Sequence, residues 1–264
     1  MTATLALALA IQWAAYYAEA VPPGGFAGFN LLVLDNDSHP DLKPLVQSGK
    51  TILGYISIGE VENVRGHFKE VKAEGLLLGE NKNWPGSYFV DVRDRRWTER
   101  VKGLVRQTLQ KGFQGVFLDT VDDAQFLEST EPNRNKGMND AMARLILEIR
   151  KTFPKAVIAV NRGYSILPKI AASLDYVLGE CVLADYDSEA KTYRRIAPKL
   201  YREQVEILQS ARRQNPNLRV LTLDYWDPRD SQGIRNIYRE QRANGFHPYV
   251  STIALDRLIP EPGH

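Results

Sequence analysis

The chain has 264 residues, 44% hydrophobic and 25% charged, which is ordinary for a soluble globular protein. Its formal net charge of +2 gives no reason to expect a nucleic-acid or membrane partner. The single cysteine, Cys181, excludes an internal disulfide and any multi-cysteine metal site, and the four histidines show no HxH or HExxH spacing. Neither a metal nor a cofactor is therefore expected.

The first residues contain the only membrane-like run, TLALALAIQWAAYYA. It is shorter than the roughly 20 residues that a spanning helix needs, and it lacks the basic start of a signal peptide. No membrane span is predicted. Residues 3–10 are interpreted either as the trimmed end of a secretion signal or as the start of the first strand.

Apolar runs rich in β-branched residues alternate with amphipathic stretches along the whole chain. Strands are predicted at residues 10–18, 29–37, 51–59, 87–92, 115–120, 156–162, 175–181, 219–226 and 248–255. Helices are predicted at residues 96–112, 139–153, 201–214 and 234–245. Gly112 and Gly245 are expected to be the C-terminal caps of the first and the last of them. Several strands are apolar at consecutive positions, which is typical of parallel strands buried on both faces.

This alternation, without a low-complexity linker, predicts one domain over residues 1–264. The predicted fold is a single (β/α)8 TIM barrel of the α/β class. Nine strand candidates for eight positions leave one surplus, and SYFVDV at residues 87–92 is expected to be the irregular one. A doubly wound α/β fold is the alternative, but no GxGxxG follows the first strand.

Polar residues, most of them acidic, stand at or just after the ends of the predicted strands. In chain order they are Asp35, Asp37, Glu60, Glu62, Asp91, Asp119, Asp122, Asp123, Asn161, Arg162, Glu180, Asp224 and Asp227. TIM-barrel chemistry sits at the C-terminal ends of the strands, so these side chains predict an acidic cleft. Basic residues collect at 191–203 and 210–219, which are interpreted as outer helix faces.

An acidic cleft has three plausible uses: holding a metal, attracting a cationic ligand, or cleaving a glycosidic bond with two carboxyl groups. DNDSH at 35–39 resembles only half of an EF-hand loop, which disfavours the first use. Aromatic residues near strand ends offer flat rings that stack on sugar faces. They are Trp13, Tyr16, Tyr17, Tyr55, Tyr164, Tyr225 and Trp226. Carbohydrate is therefore the favoured ligand.

Asp119 and Glu180 are the candidate catalytic residues. Asp119 ends an otherwise apolar strand, where burial without a function would be costly; its alternative role is a helix cap or a loop ion pair. Glu180 lies in the apolar context LGEC, which should raise its pKa and suit a general acid. Its alternative role is a buried salt bridge with Arg162. Cys181 is interpreted as a small buried residue.

A second set of residues is predicted to bind substrate: Asp35, Tyr55, Glu60, Asp91, Asp122, Asn161, Asp224, Tyr225 and Trp226. Several of them have structural alternatives. Asp35 and Asp224 could cap the following segments, and Glu60 could form a rim salt bridge. Asp122, like Asp123, could order a loop. Tyr55 and Trp226 could pack in the barrel layers.

Four segments together resemble glycoside hydrolase family 114: ILGYISIGEVENVR, NWPGSYFVDVRDRRW, GFQGVFLDTVDD and GFHPYVSTIALDRL. The resemblance runs from about Trp13 to about Leu258. It implies a TIM-barrel endo-α-1,4-polygalactosaminidase that acts on the galactosamine polymers of biofilm matrices and fungal walls. By the same resemblance, Asp119 matches the nucleophile and Glu180 the general acid/base.

The resemblance further implies a polysaccharide as the partner and an extracellular or periplasmic location, with a cytoplasmic one as the alternative. A monomer and a retaining mechanism are expected. Two rival functions stay open. One is a polysaccharide-binding barrel without turnover, and the other is a metal-dependent carbohydrate hydrolase or deacetylase on the same rim.

Overall fold

The computed structural model describes residues 11–22 and 24–263. Residues 1–10, which carry the predicted signal remnant or strand lead-in, lie outside the described residues. In chain order the elements are β1 Trp13–Tyr16, β2 Leu31–Asp35, α1 Leu42–Gln47, β3 Thr51–Ser57, β4 Glu60–Glu62, α2 Phe68–Ala73, β5 Leu77–Glu80, β6 Ser87–Val90, α3 Arg95–Lys111, β7 Gly115–Asp119, α4 Asp123–Thr130, α5 Met138–Thr152, β8 Val157–Asn161, α6 Leu167–Ile170, a 3-10 turn Ala171–Ser173, β9 Tyr176–Glu180, β10 Ala184–Asp187, β11 Thr192–Arg195, α7 Pro198–Gln214, β12 Arg219–Tyr225, α8 Ser231–Ala243 and β13 His247–Ser251.

Eight of these strands form one parallel sheet in the order β1-β2-β3-β7-β8-β9-β12-β13. The first strand, β1, contacts the last, β13: the indole nitrogen of Trp13 donates to the carbonyl oxygen of His247 at 2.8 Å. The Trp13 and Tyr249 rings also pack with their centroids 5.6 Å apart. The sheet is thus a nearly closed barrel with helices between its strands, which confirms the predicted (β/α)8 fold.

The barrel strands alternate between two apolar layers. In β7, Val116 and Leu118 pack in the layer shared with the helices, whereas Phe117 belongs to the cluster inside the barrel. Successive side chains of a strand point to opposite faces, so Asp119 has the inward orientation of Phe117. The same alternation turns the last residues of β8 and β9 inward. Three neighbouring strands therefore end in polar side chains aimed into the mouth of the barrel.

The surplus strand lies outside the barrel, as predicted. β6 is the centre of a three-stranded antiparallel sheet, β4-β6-β5, between β3 and α3. We call this sheet with its loops, residues 60–90, the insert. A second small sheet pairs β10 with β11, so the interpretation of residues 191–203 as a helix face is wrong: the helix begins only at Pro198.

The predicted helices are found within three residues of their expected bounds. Gly112 has φ of 108° and ends α3, because this left-handed conformation suits a residue without a Cβ atom. Gly245, with φ of 75°, closely follows the end of α8. Within the described part of the chain, no helix is both long and apolar enough to cross a membrane.

Close packing between β7 and β8 predicts a strong effect of Gly115→Ala. A Cβ atom at Gly115 would meet the carbonyl oxygen of Val157 at 2.0 Å, and a backbone atom in the sheet cannot move aside. We expect the free energy of unfolding to fall by about 1–3 kcal/mol, as for other overpacked sites. Urea denaturation measures this change.

The matched control is Gly103→Ala in α3, where the added Cβ atom meets nothing within 4 Å. Alanine is the better helix former, so this variant should be more stable by about 0.5–1 kcal/mol. Equal effects of the two variants would contradict the packing argument.

Candidate active site

A cavity of about 540 Å³ opens at the C-terminal mouth of the barrel. Barrel strand ends, the insert and the loop after β13 line it together. Its acidic side chains are Asp35, Glu60, Glu62, Asp119, Asp123 and Glu180, and its cationic ones are Arg65 and Arg162. Six acids face two bases in a chain of net charge +2, so the negative charge is concentrated in the cavity, as the sequence predicts.

One side-chain amide joins the two predicted catalytic acids. The Asn161 amide nitrogen donates to Asp119 Oδ1 at 2.9 Å and to Glu180 Oε2 at 2.6 Å. The three residues end the adjacent strands β7, β8 and β9. Because both bonds share one nitrogen, the two lengths together set an upper limit of about 5.5 Å on the separation of these carboxylate oxygens. The structure thus brings the pair into direct reach of a single reacting atom.

The surroundings of Glu180 favour its protonated form. Burial raises the pKa of this carboxyl group, and the negative charge of Asp119 raises it further. Hydrogen bonds oppose the shift: the Tyr225 hydroxyl donates to Oε1 and the Asn161 amide to Oε2, and both stabilise the carboxylate. The expected raised pKa is therefore present, and it arises from burial beside a second acid.

Two tyrosines stand beside Asp119. Tyr55 is hydrogen-bonded to the carboxylate of Asp119, and its ring packs against that of Tyr17 with centroids 5.2 Å apart. Burial and the nearby carboxylates hold the pKa of both phenols well above the ordinary value. Both hydroxyls therefore stay protonated and available as hydrogen-bond donors. Tyr55 is a predicted substrate contact, whereas Tyr17 is predicted only as a strand-end aromatic residue.

The residue after each of the three strand-end side chains has a left-handed backbone. These residues are Thr120 with φ of 60°, Arg162 with 54° and Cys181 with 52°. Hydrogen bonds hold all three turns: Thr120 Oγ1 accepts from the Gly59 N–H at 2.8 Å, and the other two residues donate their own N–H groups to neighbouring strands. Such conformations cost about 1–3 kcal/mol each and cluster at functional sites.

Arg65 neutralises one wall of the cavity. Its guanidinium group lies 2.8 Å from Asp35 and 2.6 Å from Glu62. Burial favours the neutral acid at Asp35, but the bonds from Arg65 outweigh it and lower the pKa of this carboxyl group. Asp35 Oδ1 also accepts from the N–H groups of Asp37 and Ser38. Asp35 thus lines the cavity and orders its own loop.

A second carboxyl pair, Glu60 and Asp123, lies in the same cavity. Glu60 is only 4% exposed and accepts hydrogen bonds from the hydroxyl of Ser87 and, at 2.5 Å, from the amide of Asn81. Asp123 Oδ2 is buried without a donor. Burial first, then the charge of Glu60, raises the pKa of Asp123 to about 9. Asp123 is therefore protonated at neutral pH and can donate its proton to Glu60.

Four of the predicted substrate contacts lie outside the residues that line the cavity. Asp224 is fully buried, accepting from the N–H groups of residues 183 and 184 and from the Gln241 amide. Asp91 pairs with Arg93 at 2.7 Å outside the cavity. The other two are Asp122 and Trp226.

Asp122 and Trp226 have structural partners. Asp122 accepts from the N–H group of Gly163 at 2.9 Å and pairs with Arg162 at 3.0 Å. It orders the loop after β8, which was its alternative role. The Trp226 indole donates to Asp230 at 2.9 Å, whereas its neighbour Tyr225 points inward to Glu180.

The cavity also contains residues that were not predicted from the sequence, among them Arg65, Asn81 and Trp84. All three belong to the insert. No periodic pattern in the sequence predicts that the insert contacts the barrel mouth. Among the described residues, no group of three or more His, Cys, Asp or Glu side chains is arranged to hold a metal ion.

Comparisons with known proteins agree with this architecture. The sequence profile of glycoside-hydrolase family GH114 matches residues 2–262. An uncharacterized protein of Deinococcus radiodurans is 28% identical over 244 residues, covering 88% of this chain and 75% of that protein. An uncharacterized protein of Thermotoga maritima is 26% identical over 259 residues, with 88% and 78% covered.

Two solved structures share the fold over nearly the whole chain. The glycoside hydrolase domain of PelA from Pseudomonas aeruginosa superposes with a TM-score of 0.83 at 25% identity, covering 95% of this chain and 98% of that one. Aspergillus fumigatus Ega3, in complex with galactosamine, gives a TM-score of 0.71 at 14% identity, with 99% and 98% covered. At that lower identity the likeness concerns the fold alone.

The protonated Asp123 predicts an unusual pH dependence of stability. Its pKa of about 9 exceeds the ordinary value of 3.8, so between these pH values folding takes up a proton and the wild type loses stability as pH rises. Asp123→Asn mimics the protonated acid. The variant should match the wild type near pH 4 and exceed it increasingly toward pH 9, by at least about 2 °C in Tm.

The control is Asp227→Asn. Hydrogen bonds from Arg229 lower the pKa of Asp227 to about 2, so replacing this carboxylate by an amide cannot stabilise the protein at high pH. A Tm gain in Asp123→Asn that does not change with pH would contradict the assignment.

Proposed function

The chain belongs to glycoside hydrolase family 114, and we propose that it cleaves α-1,4-linked galactosamine-containing polysaccharide by an endo-acting, retaining mechanism. In this proposal Asp119 is the nucleophile and Glu180 the general acid/base. The observation that carries it is the Asn161 amide, which holds the two carboxyl groups side by side within one cavity.

The separation of the two acids supports retention of anomeric configuration. Retaining enzymes place their carboxyl groups about 5–5.5 Å apart, whereas inverting enzymes need roughly 6.5–9.5 Å to admit a water molecule. The shared amide limits the bridged oxygens to about 5.5 Å, at the retaining end of this scale.

The protonation states suit the two roles. Asp119 attacks the anomeric carbon as a carboxylate while the bond to the leaving oxygen breaks and that oxygen takes the proton of Glu180. Glu180, now a carboxylate, removes a proton from water, and the water oxygen displaces Asp119 from the sugar. The raised pKa of Glu180 keeps the proton available for the first step.

The charge of the cavity supports an amino-sugar substrate. Free amines on a partly deacetylated galactosamine polymer are cationic at neutral pH. With Asp123 and Glu180 protonated, four acids of the cavity still stand against two arginines. Ega3, which shares the fold, has been crystallised with galactosamine. Such polymers occur in biofilm matrices and cell walls, so we place the protein outside the cell or in the periplasm, acting as a monomer.

Hydrolysis of partly deacetylated α-1,4-galactosaminogalactan tests the activity. We expect the wild type to release oligosaccharides detectable by mass spectrometry, and Glu180→Gln to lose about 10²–10⁴-fold in kcat, the range for a catalytic proton-transfer group. Asp119→Asn removes the nucleophile itself and should lose at least as much. NMR of the first product should show the α-anomer if configuration is retained.

Asp91→Asn is the matched control, because this acid also follows a predicted strand but pairs with Arg93 outside the cavity. It should keep wild-type activity. No release by the wild type would refute the proposed substrate and favour a binding barrel, and release of the β-anomer would refute retention.

Tyr225→Phe should change the pH profile. The Tyr225 hydroxyl donates to Glu180 and lowers its pKa, so its removal raises that pKa further. The alkaline limb of kcat/KM, which reports loss of the acid's proton, should therefore move to higher pH. A shift to lower pH would contradict the assignment of Glu180 as the acid.

A further inference from the structure

The cleft extends from the insert to the opposite side of the barrel mouth. Trp84 lines it from the turn between β5 and β6, and Ile253 lines it from the loop after β13. The insert follows β3, and β3 and β13 stand three positions apart in the ring of eight through β1 and β2, and five positions apart through β7, β8, β9 and β12. The insert and the β13 loop thus flank the arc of strands that ends in Asp119 and Glu180.

Trp84 is an exposed ring on an ordered turn. The side chain is 61% exposed although it lines a cavity. The turn is closed by backbone bonds: Asn81 N–H donates to the Ser87 carbonyl at 2.8 Å, Trp84 N–H to Asn81 at 3.0 Å, and Ser87 N–H to Trp84 at 3.0 Å. The indole is therefore presented to the cleft by a preorganised backbone, and little ordering entropy would be lost on binding.

Polar groups line the same cavity as this ring. The amide of Asn81, at the start of the same turn, holds Glu60 at 2.5 Å, and Asp123 adds a second carboxyl group. An apolar ring face next to acceptors for hydroxyl and ammonium groups is the chemistry that a hexosamine requires, since a sugar has one apolar face and a polar rim.

We propose that the insert forms a separate sugar subsite, in which the Trp84 indole stacks on a ring of the chain remote from the scissile bond and Glu60 accepts from its polar groups. The inference rests on the proposed function and adds a binding residue to it. The subsite lies on one side of the catalytic pair, so it should bind only chains long enough to reach it.

The test measures affinity of α-1,4-galactosamine oligomers of increasing length for the Asp119→Asn protein by isothermal titration calorimetry. In this background Trp84→Ala should weaken binding of the longer oligomers by about tenfold or more. It should leave the shortest binding oligomer unchanged, and Trp84→Phe should recover part of the loss. In the active enzyme, Trp84→Ala should shift the released products to other lengths.

Phe126→Ala is the control, because Phe126 is 51% exposed but lies outside the residues that line the cavity. It should bind every oligomer as the parent does. Equal affinity of Trp84→Ala and its parent for all lengths would overturn the subsite while leaving the proposed function intact. If the Asp119→Asn protein binds no oligomer at all, the substrate assignment and the subsite both fail.

Discussion

Repulsion among carboxylates is the constraint that the mouth of this barrel must satisfy. Two like charges 4 Å apart cost about 4 kcal/mol at an effective dielectric constant of about 20, and six acids share one cavity. Three devices limit that cost. The Asn161 amide donates to two acids at once, Arg65 pairs with two others, and Asp123 keeps its proton. The acids are thereby left in different protonation or hydrogen-bonding states.

The barrel and the insert have different tasks in the proposed reaction. The barrel supplies the reacting groups, because the alternation of its strands fixes Asp119 and Glu180 on the inner face at one level. The insert supplies Glu60, Asn81 and Trp84, which stand to one side of them. This division places the proposed chemistry on the barrel sheet and the proposed recognition of the polymer on the insert, whose buried residues Val61, Val71 and Val90 pack in the same core as β7.

Much of the site could be predicted from the sequence, because a polar side chain at the end of an apolar strand is costly to bury unless it has a task there. Asp119, Asn161 and Glu180 are predicted on this basis. Strand alternation explains why Asp224 lies outside the cavity: its neighbour Tyr225 faces inward, so Asp224 faces outward, where it accepts from Gln241 of α8. The two could not both line the cavity.

The contribution of the insert was beyond prediction from the sequence. Its strands have three or four residues each, too few to show a periodic pattern, and they pair only with one another in a separate antiparallel sheet. The irregular position of SYFVDV is predicted correctly, yet nothing in its pattern predicts that the turn before it reaches the cleft. Asp91, within the same predicted strand, pairs with Arg93 outside the cavity.

The left-handed residues after Asp119, Asn161 and Glu180 carry backbone strain, which lowers the stability of the fold at the site. Thr120, Arg162 and Cys181 each adopt a conformation that glycine would accept with less strain. Glycine would relieve this strain, but at Thr120 it would remove the hydroxyl that accepts from the Gly59 N–H, and at Arg162 the ion pair with Asp122. At these turns thermal stability and the proposed activity make opposite demands. Stabilising substitutions are therefore better sought in the helices outside the barrel mouth.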